Sequence, residues 1–496
     1  MSQPQIQFKS EVSAKKAYNL IFRIIIGPLC FFIVQAIPLA GLEPKAHFAL
    51  SCYAWILAWW ATMPIPWAVT GLLPLILFPL GGAMPIKEVA LLYGQRVFFF
   101  LLGVMLFGHA FRKHGLARRM AVSVLSIPGI ATSGTRLVLV IVIVSAIVSA
   151  MVDDAASVAI MIPIALSVAK FAGDSYAKSS RISGISTPNL MTASCLGVLY
   201  GSAAGGMATP AGVPFNPLAI SLLNELTGYH VSFAQWTLTG IILMIATIPV
   251  YYLVLKYMSP PEVQSIAEGA EYFNEEKKKL GQLSQGEKNV LFVLIVMVVL
   301  WFLPGFVNIS FLDIWYVPPV GMLILFLLPV NAQTGEMTLS SKDFQEGVLW
   351  NVLFLVVSGT ALASGLVQLG ITEWLEVIIT GGLSASILPW FAGIITPILS
   401  HLTSGTATTS MVSTILFPIA NNLGYNPAIL ARIITGTALA VSFPWAGAAA
   451  GTAFSSGTFS FGTMFRIGVV ATFFTMIVVT LLSIILVPAL GAFSLI

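Results

Sequence analysis

The chain of 496 residues is 57% hydrophobic and only 8% charged, with a mean hydropathy of +0.95 and a formal net charge of +4. Soluble domains carry roughly 25% charged residues, so this composition excludes an ordinary water-soluble protein and predicts an integral membrane protein. Apolar stretches of helical length recur with Gly and Pro scattered through them, without the strict alternation of a membrane β-barrel, which predicts an all-α polytopic bundle.

In chain order the apolar spans fall at 18–39, 46–62, 65–82 and 93–112, followed by a longer run from Leu137 to Lys170. As one helix that run would reach roughly 50 Å at about 1.5 Å per residue, against roughly 30 Å of hydrocarbon. Asp153 and Asp154 interrupt it at its midpoint, so the reading is a re-entrant helical hairpin, 137–170, whose tip lines a pathway. Spans at 190–206, 216–225 and 233–256 complete a first half, residues 1–258. A polar connector, 259–288, leads to a second half, 289–496, with spans at 289–305, 314–330, 350–370, 428–445 and 464–492. Between them lies a second broken run, 383–421, interrupted by His401, Leu402, Thr403, Ser404, Gly405 and Thr406.

Basic residues cluster at Lys9, Lys15 and Lys16, then Arg112 to Arg119, then Lys170, Lys178 and Arg181, then Lys256 and Lys277 to Lys279. Facing them all to the cytoplasm predicts a plasma-membrane protein with a cytoplasmic N-terminus. The first hairpin then enters from inside, and the second, after Glu373 and Glu376, from outside. The charge is read as topology, with no nucleic-acid partner. The halves resemble each other: Gly71–Leu80 matches Gly321–Val330 and Val97–Leu116 matches Asn351–Ile371, each pair preceding a broken run. Opposite orientation makes this an inverted repeat after one extra N-terminal helix, the architecture of secondary transporters. Cys30, Cys52 and Cys195 read as small apolar residues; no disulfide framework, metal motif or cofactor signature is present. The basic N-terminus lacks a cleavage pattern and reads as mature sequence.

Each half also holds a stretch too rich in small residues for a regular helix: Tyr200–Asn216, with its glycines and prolines, and Phe443–Gly457. Hairpin tips and unwound helices present helix N-termini, whose unpaired amides and positive dipole ends favour carboxylates. Facing ends suit an anion charged at both ends.

These residues resemble the divalent anion/sodium symporters, in which each hairpin tip bears Ser-Asn-Thr and each unwound helix a Thr-Pro or Pro-Pro-Asn element. The second tip reads Thr403, Ser404, Gly405, Thr406, with Gly in place of Asn, and the segment from Gly205 through Thr209, Pro210 and Pro214 to Asn216 is similar to the first unwound element. Gly115 and Leu116 with Arg118 and Arg119 match the basic turn before the first hairpin. Two motifs depart: the first tip, aligned on Met161 to Pro163, reads Asp153, Asp154, Ala155, and Thr-Pro-Pro-Asn falls on Gly447, Ala448, Ala449 and Ala450. The resemblance implies a homodimer in the lipid bilayer and an elevator-type transporter of small dicarboxylates of the succinate or 2-oxoglutarate class. Substrate would lie against Asp153, Asp154, Ser404, Gly405, Thr406, Thr209, Pro210 and Ala448. Loss of the family's sodium oxygens implies sodium-independent exchange, with His401 as a cation substitute; the alternative is sodium- or proton-coupled symport.

Three accounts of the aspartates stay open: an ionised pair holding a cation, a protonated Asp that hydrogen-bonds substrate, or a cap on the returning half-helix. An aspartyl protease would need carboxylates on separate elements, which neighbours in one tip do not provide. Arg432 reads as an interfacial anchor.

Overall fold

A computed structural model describes residues 4–127, 132–180, 187–266, 269–305, 313–371, 374, 384–439 and 441–489. Arg181, Glu373, Glu376 and the first residue of the 383–421 run lie outside these. Seven described helices are long and apolar enough to cross a membrane, or eight when Ile86–Leu92 and Arg96–Lys113, which meet at 42°, count as one span.

The chain enters through α1 (Pro4–Ala36) and α2 (Pro44–Thr62), which pack on each other. The expected span 65–82 is broken into α3 (Trp67–Thr70) and α4 (Pro74–Leu80), because Pro74 has no N–H to continue the ladder. Next come α5 (Ile86–Leu92), α6 (Arg96–Lys113), the short α7 (Leu116–Leu125), α8 (Gly134–Met151) and α9 (Asp154–Ser180). The run 137–170 does fold back. Ser157 donates to the carbonyl of Ser145 at 3.1 Å, whereas residues twelve apart in a straight helix are about 18 Å apart.

After this hairpin, α10 (Pro188–Gly206) and α11 (Phe215–Thr227) flank the first unwound stretch, and α12 (Phe233–Met258) ends the first half. The unwound part is shorter than the glycines suggest, because Tyr200 to Gly206 stay helical. Gly201 and Gly205 serve packing instead: a Cβ on either would lie 2.3 Å from the carbonyl oxygen of Val142 or 2.0 Å from that of Ala146, on α8. Small residues at four-residue spacing let two membrane helices approach closely.

The connector carries α13 (Gly269–Lys279), and the second half opens with α14 (Gln285–Phe302) and α15 (Val317–Leu327). A small antiparallel pair, β1 (Pro329–Asn331) with β2 (Glu336–Met337), precedes α16 (Ser341–Gly347) and α17 (Trp350–Gln368). The second hairpin is α18 (Leu388–Leu402) with α19 (Gly405–Asn422), which touch each other and both pack on α20 (Pro427–Thr437). The unwound residues 438–439 and 441–447, α21 (Ala448–Ser455) and α22 (Phe461–Ala489) follow. This break begins at Ala438, five residues before the expected Phe443, since hairpin side chains supply its backbone partners: Ser400 donates to the Ala438 carbonyl, and the Ser442 N–H donates to His401.

Reciprocal contacts express the inverted repeat. α6 packs on α15 as α17 packs on α3; α11 packs on α19 as α21 packs on α9; and α12 meets its own counterpart, α22. One polar lock joins α16 to α6. Asp343 on α16 accepts from His109 at 2.9 Å and Lys113 at 2.8 Å on α6, and from the Ser340 N–H at 2.7 Å. Burial alone would raise the Asp343 carboxyl, but the hydrogen bonds from Lys113, Ser340 and His109 outweigh it and hold the group well below the usual carboxylate range. Of the three cysteines, Cys52 and Cys195 are buried and Cys30 is half-buried; all are free.

Candidate functional site

Asp153, Asp154, Ser404, Gly405, Thr406 and Ala448 line one cavity of about 530 Å³. Both hairpin tips therefore face a shared space. Four helices begin at its wall: α9 at Asp154, α11 at Phe215, α19 at Gly405 and α21 at Ala448. Each start leaves backbone N–H groups without intrahelical acceptors and carries the positive end of a helix dipole. Among the described residues the lining has no Lys, Arg or His, so peptide dipoles are the positive groups on this wall, beside the carboxyl groups of Asp153 and Asp154.

The first tip is built around Asp153, whose φ of 143° is unusual for a residue with a Cβ. Such a backbone costs about 1–3 kcal/mol and persists only where surroundings impose it. Here the Asp154 N–H donates to the Gly212 carbonyl at 3.1 Å, and the Thr209 hydroxyl donates to the Ala150 carbonyl at 2.7 Å. The tip is thereby tied to the first unwound stretch. Both aspartates accept from one donor, the Ala155 N–H, at 3.0 Å from Asp153 and 2.7 Å from Asp154. Asp153 thus caps α9, while both carboxyl groups remain part of the cavity wall.

At the second tip Ser404 caps α19 by accepting from the Ala407 N–H at 3.2 Å, and the Thr403 and Thr408 hydroxyls meet at 2.9 Å. Thr209 and Pro210 are not in the lining; Thr209 acts behind it, as the tie to Ala150. His401 lies outside the cavity too, in an apolar groove with Phe443 and Phe473. Its Nδ1–H donates to the Pro397 carbonyl at 2.6 Å while Nε2 accepts from the Ser442 N–H at 3.2 Å. An Nε2 that accepts is unprotonated, so the ring is a neutral strut and not a cation facing substrate.

One wall of the cavity escapes the sequence reading, and two residues that it named, Asn216 and Arg432, take roles that it did not give them. Met63 to Ala68 and Asn351 also line the cavity, and nothing in their apolar or amide character marks them. Asn216, fully buried, donates through Nδ2 to the carbonyls of Gly206 and Thr209, both at 2.8 Å. Arg432 is 1% exposed, which corrects the interfacial anchor expected for it: a guanidinium on a short inward-facing helix cannot reach the membrane surface.

A profile of the sodium:sulfate symporter transmembrane region matches residues 15–492, nearly the whole chain. The chain belongs to the sodium:sulfate symporter family. This family member is therefore a multi-pass membrane transporter and not an enzyme, which disposes of a protease role for its aspartates. It is 28% identical over 438 residues to the sodium-dependent dicarboxylate transporter SdcS of Staphylococcus saprophyticus, covering 86% of this chain and 83% of that one. To SdcS of Staphylococcus aureus it is 27% identical over 449 residues, covering 87% and 84%. The fold is similar to the YdaH transporter of Alcanivorax borkumensis, with a TM-score of 0.57 and 12% identity over 82% of this chain and 88% of that one. MtrF of Neisseria gonorrhoeae, from a class described as antimetabolite efflux pumps, gives 0.55 and 12% over 92% and 97%.

Proposed function

We propose that the protein is a secondary transporter of small dicarboxylates, taking substrate of the succinate or 2-oxoglutarate size between its two hairpin tips. The observation that carries this is the convergence of four helix N-termini on one cavity that has no cationic side chain among the described residues of its lining. Several dipole ends on one cavity suit two carboxylates held apart by a short linker, and the two SdcS relatives are named for dicarboxylates. Ser404 and Thr406 add hydroxyl donors. The unit formed by hairpins and unwound helices would slide against the framework of α3, α6, α15 and α17 in an elevator-type movement, in a homodimer within the plasma membrane, N-terminus inside.

We further propose that transport is sodium-independent. What favours this at the first break is that several carbonyls already accept a hydrogen bond, Gly206 and Thr209 from Asn216, Met207 from Arg432 and Gly212 from the Asp154 N–H, which leaves the buried Asn216 Oδ1 as the free acceptor there. At the second break Gly447 to Ala450 carry no side-chain oxygen. With His401 outside the lining, exchange is not argued from a cation substitute at that residue. The names of the SdcS relatives favour a second reading, sodium-coupled symport. Purified protein in liposomes decides between them. Labelled succinate or 2-oxoglutarate is expected to enter, or to exchange, equally well in choline and sodium media; a strict sodium requirement moves the assignment to symport, and failure to move any dicarboxylate removes the substrate assignment.

A further inference from the structure

Arg432 is buried and, among the described residues, has no carboxylate within ion-pair distance. Its Nη2 donates to the Trp236 carbonyl at 2.9 Å, Nη1 to the Met207 carbonyl at 3.4 Å, and its guanidinium carbon lies 4.2 Å from the centre of the Trp236 ring. Met207 immediately follows the last residue of α10, where the dipole is negative and the last carbonyls are orphaned. A second feature is built around the same spot. At Gly240 on α12 a Cβ would lie 2.5 Å from Nη2 of Arg432, 2.3 Å from the Ala208 carbonyl oxygen and 2.5 Å from that of Met207. A glycine is thus needed for the guanidinium and these carbonyls to meet.

A methionine would fill this space without the desolvation cost of a buried charge, so packing alone does not explain an arginine here. We infer that Arg432 is a positioning residue for transport: from the second repeat it holds the carbonyl end of α10 and so sets the unwound stretch that supports the first hairpin tip. The chain of contacts is short. Met207 opens the stretch, Asn216 braces it through Gly206 and Thr209, Thr209 holds Ala150, and Gly212 accepts from the Asp154 N–H at the cavity wall. Arg432 touches no substrate. It fixes where the two aspartates stand, and because it reaches from α20 to α10 and α12, it makes the two unwound helices move as one body.

This rests on the proposed transport reading, and the test separates the two. Arg432→Met and Arg432→Lys are compared with wild type in liposomes for labelled succinate uptake, alongside thermal melting in detergent. Arg432→Met is expected to lower maximal uptake by about tenfold or more, beyond what its melting temperature accounts for. Arg432→Lys should recover part of this, since an ammonium keeps the charge but not the two-pronged geometry. Millimolar guanidinium should restore uptake to Arg432→Ala where equal sodium chloride does not. A readout without substrate is maleimide labelling of Ala211→Cys, with Cys30, Cys52 and Cys195 replaced by Ser. Its rate should rise about tenfold when Arg432→Met is added, by the factor the loosened stretch opens. Wild-type uptake kinetics in a folded Arg432→Met or Arg432→Lys protein, or an unchanged labelling rate, overturns the inference. Should Arg432→Met not fold, Gly240→Ala, which displaces the carbonyls and leaves the charge, is expected to reproduce the transport loss, and normal transport there overturns it equally. A wild type that moves no dicarboxylate counts against the substrate alone, since the labelling result stands by itself.

Discussion

A Cβ placed on Gly405 would lie 2.7 Å from Cε1 of Phe215 and 2.9 Å from the carbonyl oxygen of Ala438, so the second tip touches the start of α11 and the second unwound stretch at once. This contact accounts for glycine at the position where the sequence resemblance implied asparagine. The phenyl ring can shift, but the Ala438 carbonyl belongs to backbone that Ser400 also holds.

An asparagine at this position is therefore expected to harm this protein. Gly405→Asn should cost about 1–3 kcal/mol of stability by overpacking and lower uptake of labelled succinate by roughly tenfold. Wild-type uptake with an unchanged melting temperature would show that the tip has room to spare.

The α8–α10 contact makes a graded prediction. Gly201→Ala and Gly205→Ala push a methyl group into the Val142 and Ala146 carbonyls, whereas a Cβ on Gly197 finds its nearest neighbour, Val142 Cγ2, at an ordinary 3.4 Å. The first two should destabilise by about 1–3 kcal/mol and Gly197→Ala by well under that. Melting curves in detergent check the order; equal effects at the three positions would contradict close helix approach as the role of Gly201 and Gly205.

Cysteine labelling separates cavity from support. Ala448→Cys and Asn351→Cys sit in the lining, while Thr209→Cys lies behind the first tip. Saturating succinate is expected to slow thiol labelling at 448 and 351 by about fivefold or more and to leave 209 unprotected. Protection at 209 alone would place the substrate on the wrong side of the tip.

The Asp343 lock has a pH signature. Its folded carboxyl is held below the unfolded value of about 3.9, so its stabilisation is fully present above that value and fades as pH falls toward the folded one. Asp343→Asn should lower the melting temperature at pH 7 and flatten the loss of stability below about pH 4. An acid limb identical to wild type would mean that Lys113 and His109 contribute nothing through this carboxylate.

The sites were unevenly legible in the sequence. Asp153 and Asp154 stand out because charged residues inside an apolar run are expensive, and the excess length of that run makes the fold-back at Ser145 and Ser157 almost unavoidable. Ser404 and Thr406 were readable for the same reason. The glycines of Tyr200–Gly206 misled, since a glycine that loosens a helix and one that admits a neighbouring backbone look alike in one dimension. Thr209 and His401 were noticed for their chemistry, but whether a side chain faces the cavity or its support depends on helix rotation, and uniformly apolar surroundings leave rotation unmarked.

Composition and hydropathy by themselves determined a helical membrane protein and the two places where polar residues make the chain fold back, because lipid leaves backbone and charge few alternatives. Only the tertiary structure decided that both turns meet in one cavity, that Arg432 is buried against the end of α10, and that His401 is a neutral strut. Those outcomes depend on which helix faces pack together, and in a protein apolar on nearly every face the pairing is set by close approach and individual hydrogen bonds, which no periodicity in the chain records.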